Sequence, residues 1–432
     1  MLDIQYKPDS LIQRFIFERN DEYLIKTNSP EEKVILLILR DLLRPGWEIT
    51  FKTNRITIKP PQSYDKQVIK GSMEIKRQEA IAQKRLWIDK HIELARENLA
   101  NGSEVWQSEI SPVIEICQTQ RQFDTFRIFR YYWSSPYSEY VGRRLKLIIR
   151  DSAVPNKPII GIAALGSSIV HIPDRDKWIG WDKPTRTNNL IYTMDAYVLG
   201  ALPPYNHLLG GKLISYLIAS NEVREMYQQK YKDAVTNITK RTANDIACIF
   251  TTSLYGKSSQ YNRVRFNDKT LYIHVGETKG YGTLHLTDET FEAMRDLLTS
   301  KGISVSNRFG DGPIWRMRVI RTAADILGFD ADFLLKHSFQ RAIYVIPLAE
   351  NYKEFLQGKS QKLNYFDYPL STLVQYWRKR WLINRRNNSE VKEAVLGFRK
   401  SEFLVRFMTK THPTTACTWT AGDSPRPRDS AG

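Results

Sequence analysis

Three stretches of the chain carry side chains whose types and spacing could do chemistry on an anion. The first is Asn206-His207-Leu208-Leu209-Gly210-Gly211-Lys212. Paired glycines at a helix start let a ligand approach the backbone, the free amides attract negative charge, and Lys212 adds a cation. A nucleotide P-loop needs a first glycine and a hydroxyl after the lysine. Here Asn206 and Leu213 stand in those places, so magnesium would lack its hydroxyl ligand. Tight helix–strand packing that needs small residues explains the glycines equally well. The second stretch, residues 251–263, gathers Ser253, Tyr255, Lys257, Ser258, Tyr261, Asn262 and Arg263. Such side chains hold phosphates and base edges. The plainer reading is a helix start capped by Ser258 or Ser259, but a cap needs only one hydroxyl. The third is Glu277-Thr278-Lys279, which pairs with Pro173-Asp174 in the manner of nucleases whose two carboxylates hold a metal while a lysine orients water. A glycine-rich hairpin from Gly276 to Gly282 is the simpler account of it.

Two further stretches suit a polynucleotide. In Arg175-Asp176-Lys177-Trp178-Ile179-Gly180-Trp181-Asp182, Trp178 could stack on a base and Arg175 clamp a phosphate. The alternative packs both indoles inside, and is the expectation for Trp181. The block Trp377–Arg386 carries Arg378, Lys379, Arg380, Arg385 and Arg386 and no acid. Cations that meet phosphates make binding salt-sensitive. A solvated helix face is the common alternative for such a run. His171, His207, His274 and His285 are too scattered to define a metal cage, and no Ser-His-Asp triad has a local signature.

Charge points the same way. The 432 residues hold 64 Lys plus Arg against 47 Asp plus Glu, a net charge of +17. Residues 301–432 alone hold 22 basic and 12 acidic side chains. Such an excess bears on partners rather than on fold, and nucleic acid, DNA in particular, is the partner it favours. An acidic protein would also satisfy it. Cys117, Cys248 and Cys417 lack the short spacing of a zinc site, and their odd number suits a reducing compartment. The N-terminus has no signal-peptide pattern. The apolar run Val34–Leu39 falls far short of the ~20 residues a bilayer requires. A cytoplasmic protein without membrane partners is expected.

The elements that must position these residues alternate in type. Ser29-Pro30-Glu31-Glu32 reads as a helix start, carried through Val34–Leu43 and stopped at Arg44-Pro45-Gly46. Trp47–Phe51 and Arg55–Lys59 read as a hairpin, and residues 64–100 as a long charged helix. Strands are predicted over Leu145–Arg150, Ile159–Leu165, Leu190–Leu199, Ile246–Thr252 and Leu271–Val275, with a helix from Gly210 to about Tyr231. After residue 313 the pattern is mostly helical. Leu373, Trp377 and Trp381 recur every four residues and mark one buried face. The reading is an α/β or α+β fold with a mixed central sheet. It has an accessory region over 1–125, a core over 126–312, a basic helical region over 313–411 and a disordered tail over 412–432. No internal repeat is present.

Six motifs in order carry a resemblance. They are YYWSSPYSEYVGRRL (131–145), PIIGIAALGSS (158–168), RDKWIGWD (175–182), TMDAYVLGALPPYNHLLGGKL (193–213), TTSLYGKSSQYNR (251–263) and GETKGYGTLHL (276–286). From about residue 60 to 390 the chain resembles the DruA components of Druantia anti-phage defence systems. The resemblance implies a bacterial antiviral role beside other Druantia proteins, including a helicase-like one. It supplies no mechanism, no catalytic residue and no cofactor. The segment from His207 to Lys212 also resembles the coenzyme-binding turn of GNAT acetyltransferases, which implies a GNAT-like core. That turn places Gln or Arg, two residues, glycine, any residue, then glycine or alanine, so His207 and Lys212 depart from it while Gly210 fits. Three roles follow: nucleic-acid handling, a transferase or nucleic-acid-modifying enzyme using the groove at Gly210, or an adaptor for the helicase-like partner.

Overall fold

The computed structural model describes residues 2–5, 15–18, 22–25, 29–52, 55–62, 64–134, 142–235, 241–242, 244–305 and 313–408. Cys417, the tail expected to be disordered and the middle of the first family motif (135–141) lie outside them. The chain divides into two compact units, with the division inside the helix Lys66–Gln83. One unit joins residues up to Ile75 with Gly282–His337; the other joins Lys76–Tyr281 with Ser338–Lys410.

In the first unit the helix Pro30–Leu43 begins where expected, with the Ser29 side chain accepting from the Glu32 amide. Its run Val34–Leu39 is entirely buried. The hairpin Glu48–Lys52 and Arg55–Lys59 forms an antiparallel sheet with Leu2–Gln5, the strand Arg55–Lys59 lying in the middle. Buried Asp41 accepts from the Thr287 amide and from the hydroxyls of Thr287 and Thr290, which anchors the start of the helix Asp288–Ser300.

The second unit is built on a seven-stranded mixed sheet: β1 Pro112–Ile116, β2 Arg144–Asp151, β3 Ile159–Ser167, β4 Thr193–Ala201, β5 Cys248–Ser253, β6 Ile273–Glu277 and β7 Ala342–Pro347. The spatial order is β6-β7-β5-β4-β3-β2-β1. Every neighbouring pair is antiparallel except β4 and β5, which run parallel with Cys248 beside Thr193. β3 and β7 are buried along almost their whole length, as central strands covered on both faces must be. One face packs the helices Gly210–Ile218 and Leu370–Trp377 around Leu213, Tyr216, Leu373 and Trp377. Helices Arg85–Glu97 and Gln120–Arg130 cover the β2–β4 part of the other face, and Pro173–Ile179 covers its β5–β7 part.

The structure refines several predicted elements. The long charged helix is two, Lys66–Gln83 and Arg85–Glu97. The helix after Gly210 ends at Ile218 and restarts at Asn221, because Ser220 caps the Val223 amide. Residues 254–263 form turns rather than a capped helix; Ser258 Oγ accepts from the Gln260 amide. The stretch after residue 313 is helical at Pro313–Leu327 but also contributes β7, an interior strand next to the β6 edge of the sheet.

Asp151 closes β2. Its Oδ1 accepts from the amides of Ser111 and Ala153, and its Oδ2 from the hydroxyls of Ser108 and Tyr205. The side chain is fully buried. Substituting Asp151→Ala removes the acceptor of two buried hydroxyls, those of Ser108 and Tyr205, and of two amides nearer the surface; each buried donor left unmatched costs about 1–3 kcal/mol. The thermal unfolding midpoint of this unit is expected to fall by several degrees, measured by circular dichroism; an unchanged midpoint would show the network to be dispensable.

Candidate nucleic-acid interface

The C-terminal ends of β4 and β5 are where the chemically suggestive stretches meet. β4 leads through Leu202–Leu209 into the helix Gly210–Ile218, and β5 leads into residues 254–263. Gly210 fits because a Cβ there would sit 2.7 Å from the Tyr205 carbonyl. Lys212 does not reach solvent. Its Nζ donates to the carbonyls of Ser259 at 2.8 Å and Asn262 at 2.7 Å. The Trp381 ring lies 4.5 Å from that ammonium, and Trp381 Nε1 donates to Tyr216 Oη. One buried cation therefore joins the helix start, the polar turn and the C-terminal basic helix. Burial, and then the nearby Arg263 and Arg380, depress the Lys212 pKa to about 8.

The space a ligand would need beside Gly211 is taken by Gln260. Its amide donates to the Leu199 carbonyl and to Ser215 Oγ, and a Cβ on Gly211 would meet Gln260 Oε1 at 3.2 Å. The predicted groove is thus filled from within, and its polar residues serve largely as packing: Tyr344 Oη accepts from the Ser258 amide and donates to Asn262 Oδ1. Tyr261 and Ser253 are buried, while Tyr255 is half-buried. Asn206 is exposed; His207 is half-buried, its pKa lowered by burial and by Arg385.

The C-terminal cations divide into two sets. Arg378, Arg385 and Arg386 do not face outward as a free stripe. Arg378 donates to the Ile110 carbonyl, Arg385 to His207 and Arg386 to Ser108, and all three are half-buried. They tie the helix to the sheet unit. Lys379 and Arg380 are exposed, on a π-helical turn Arg378–Leu382 that interrupts the helix. Such turns widen a helix by one residue and recur at functional positions. Lys257, Arg263 and Arg265 are also exposed. Among the described residues no carboxylate pairs with Lys257, Arg263, Lys379 or Arg380.

Arg175 and Trp178 belong to the opposite face of the sheet. Arg175 has no exposed surface: it donates twice to Asp176 Oδ1 and to the carbonyls of Ile169 and Val170. A guanidinium so enclosed cannot clamp a phosphate unless its helix opens. Trp178 is half-buried, hydrogen-bonded to Tyr352 Oη and covered by Lys353 at 3.7 Å. Trp181 packs inside, with its Nε1 on Asp176. Asp174 and the Glu277-x-Lys279 motif do come together: Asp174 Oδ2 accepts from the Glu277 amide at 2.9 Å, and Gly276 leaves it the room, since a Cβ there would lie 2.3 Å from that oxygen. Glu277 and Lys279 are exposed. Among the described residues no three His, Cys, Asp or Glu side chains converge as a metal cage would require.

One acid gave no sequence signal. Asp195, on β4, is buried; its Oδ2 accepts from the Ile169 amide while Oδ1 has no partner. Burial raises its pKa to about 6. Nothing short of the fold reveals that a lone aspartate in TMDAYVLGA points into the sheet's covered face.

The comparisons with known proteins bear on the whole arrangement. The family model described as Druantia protein DruA matches residues 63–358, and the chain belongs to the DruA family. It is 40% identical over 267 residues to a Druantia protein DruA from Escherichia coli (strain UMEA 4076-1), a match covering 61% of this chain and 65% of that relative. The chain thus spans just under two thirds of the curated relative's length. No solved structure matches it. Among the described residues no helix is long and apolar enough to cross a membrane.

Two pH dependences follow. A lysine normally titrates near 10.5; between pH 8 and that value the folded chain holds fewer protons at Lys212 than the unfolded chain, so stability rises with pH. Lys212→Met should flatten that rise in melting curves taken from pH 7.5 to 9.5. Asp195 has the opposite sign: its raised pKa favours the folded state at low pH, and that contribution is lost as pH climbs from 3.8 to about 6. Asp195→Asn should gain on the parent chain in melting temperature from pH 4 to pH 7; a gap that stays constant would contradict this.

Proposed function

We propose that this chain acts in Druantia anti-phage defence as the component that engages nucleic acid, DNA in the first instance. The exposed cations around the Lys212 junction would hold the phosphate backbone. The observation that carries the reading is where the charge lies. Residues 1–75 and 282–337 hold 19 basic and 19 acidic side chains, whereas residues 76–281 and 338–410 hold 43 and 26. The net charge of +17 therefore belongs wholly to the sheet unit. Counterion release from a phosphate backbone rewards such an excess. Arg263 and Arg380, from separate segments, both lie near enough to Lys212 to lower its pKa, and the exposed Lys257 and Lys379 belong to the same two segments. Other Druantia proteins, a helicase-like one among them, are the partners we propose, in the cytoplasm. We propose that ligand recognition is concentrated in residues 126–312, the core that carries the family motifs.

A second reading, a GNAT-like transferase or nucleic-acid-modifying enzyme, draws on the β4–β5 pair. Ligands of α/β proteins favour the C-terminal ends of parallel strands, and Gly210 follows one of them. Gln260 would have to leave for a cofactor to enter. Coenzyme A or a nucleotide retained by the purified protein in native mass spectrometry would favour this reading.

The first reading is tested by fluorescence anisotropy with single- and double-stranded oligonucleotides over a range of salt. The parent chain should bind with a steep salt dependence. The triple variant Lys257→Glu, Arg263→Glu, Arg380→Glu should bind at least about tenfold more weakly and lose about two to three from the slope of log affinity against log salt. Arg378 and Arg385 are unsuitable for this test, because reversing them would break their carbonyl contacts. Equal binding by the variant, or none by the parent, contradicts the proposal.

A further inference from the structure

Tyr376 and Trp381 are large aromatic side chains on the C-terminal basic helix that the fold leaves half-buried, while Trp377 between them is completely buried. The path of the helix explains the contrast. Residues five apart stand about 140° apart on a regular α-helix, so Tyr376 and Trp381 would look in different directions. Here the Ile383 amide donates to the Arg378 carbonyl five residues back, and the π-helical turn Arg378–Leu382 widens the helix. Trp381 swings toward the side of Tyr376. Both then reach one side chain, Tyr216: its ring lies 5.9 Å from that of Tyr376, and its Oη accepts from Trp381 Nε1 at 3.3 Å. The spacing of Leu373, Trp377 and Trp381, which predicts one buried face, therefore breaks at its last member.

The two rings are held from beneath. Tyr216 and Phe266 are buried, and Tyr216 Oη donates to the Arg265 carbonyl at 2.7 Å. Phe266 meets Tyr376 at 5.3 Å and 72°, and Tyr216 meets it at 62°. Both contacts are edge-to-face, so among the described residues no ring stacks flat on Tyr376, and its hydroxyl has no hydrogen-bond partner. Cations surround the pair. The Arg380 guanidinium lies 5.1 Å from the Trp381 ring, and Arg263 and Arg380 both act on Lys212, whose ammonium lies 4.5 Å from that ring. Arg265 is exposed, as are Arg263 and Arg380, and among the described residues none of the three pairs with a carboxylate. Aromatic faces interleaved with cations suit a ligand that offers bare bases and phosphates together. A duplex hides its base faces, whereas a single strand presents both.

We propose that Tyr376 and Trp381 form a stacking platform for the bases of single-stranded DNA, with the phosphates on Arg263, Arg265 and Arg380. The inference rests on the nucleic-acid reading above and adds to it that the strand is single and is held by its bases as well as by its charge.

Fluorescence anisotropy of the full chain decides it, with a labelled oligothymidylate, a duplex of equal length and an oligouridylate as probes over a range of salt. The oligothymidylate should bind at least about tenfold more tightly than the duplex. Tyr376→Leu and Trp381→Leu should each weaken single-strand binding at least about fivefold, and Tyr376→Phe should stay within about twofold of the parent. Stacking releases no counterions, so the slope of log affinity against log salt should be unchanged in the Leu variants, whereas Arg265→Glu should lower it by about 0.7 or more. Trp381→Leu also uncovers Lys212; should it fail to fold, Tyr376→Leu carries the test. Duplex bound as tightly as the single strand, or single-strand affinity indifferent to Tyr376→Leu, overturns this proposal and leaves the cationic reading standing. Tighter binding of the oligouridylate contradicts the assignment to DNA. No binding of any probe removes the nucleic-acid reading itself, and this proposal with it.

Discussion

The buried ammonium of Lys212 is the interaction on which the sheet unit's functional face depends. Two carbonyls of the turn after β5 accept from it, and the Trp381 ring covers it. Removing a lysine from water is costly unless its donors are matched. Here the match is made by three segments separated by up to 169 residues in sequence, from Lys212 to Trp381. Trp377 strengthens the same junction by donating to the Leu209 carbonyl. With the turn and the basic helix fixed by this contact, their exposed cations acquire a fixed spacing. The glycines at 210 and 211 then serve close packing.

Charge is the second constraint. A neutral first unit and a strongly basic second unit sit on one chain. Self-repulsion within the basic unit is contained partly by giving guanidiniums internal carbonyl partners. Arg378, Arg385 and Arg386 act as tethers, each on a carbonyl of a neighbouring segment. Arg175 is a further instance, locked to Asp176 and two carbonyls. Lys257, Arg263, Lys379 and Arg380, by contrast, are exposed and pair with no carboxylate among the described residues.

Much of this was legible beforehand. Local signals placed the first helix, the hairpin and most strands of the sheet, because capping residues, glycine-proline stops and β-branched runs act within a few residues. The strand Ala342–Pro347 escaped because a short apolar run in a helical neighbourhood reads either way. Residues 206–212 and 253–263 each suggested polar chemistry, but no local signal says that Gln260 and Lys212 occupy the space between them. The sorting of one basic block into tethers and exposed cations depends on carbonyls of Ser108, Ile110 and His207, which lie some 170 to 280 residues earlier in the chain. No periodicity records such a contact.

Hydrogen–deuterium exchange of the full chain, with and without a saturating oligonucleotide, tests the central claim most directly. Slowed exchange concentrated at residues 255–265 and around Arg380, with the helix Pro30–Leu43 unaffected, is the predicted footprint. Protection confined to the neutral unit, or no change anywhere under conditions where the oligonucleotide is bound, would contradict it.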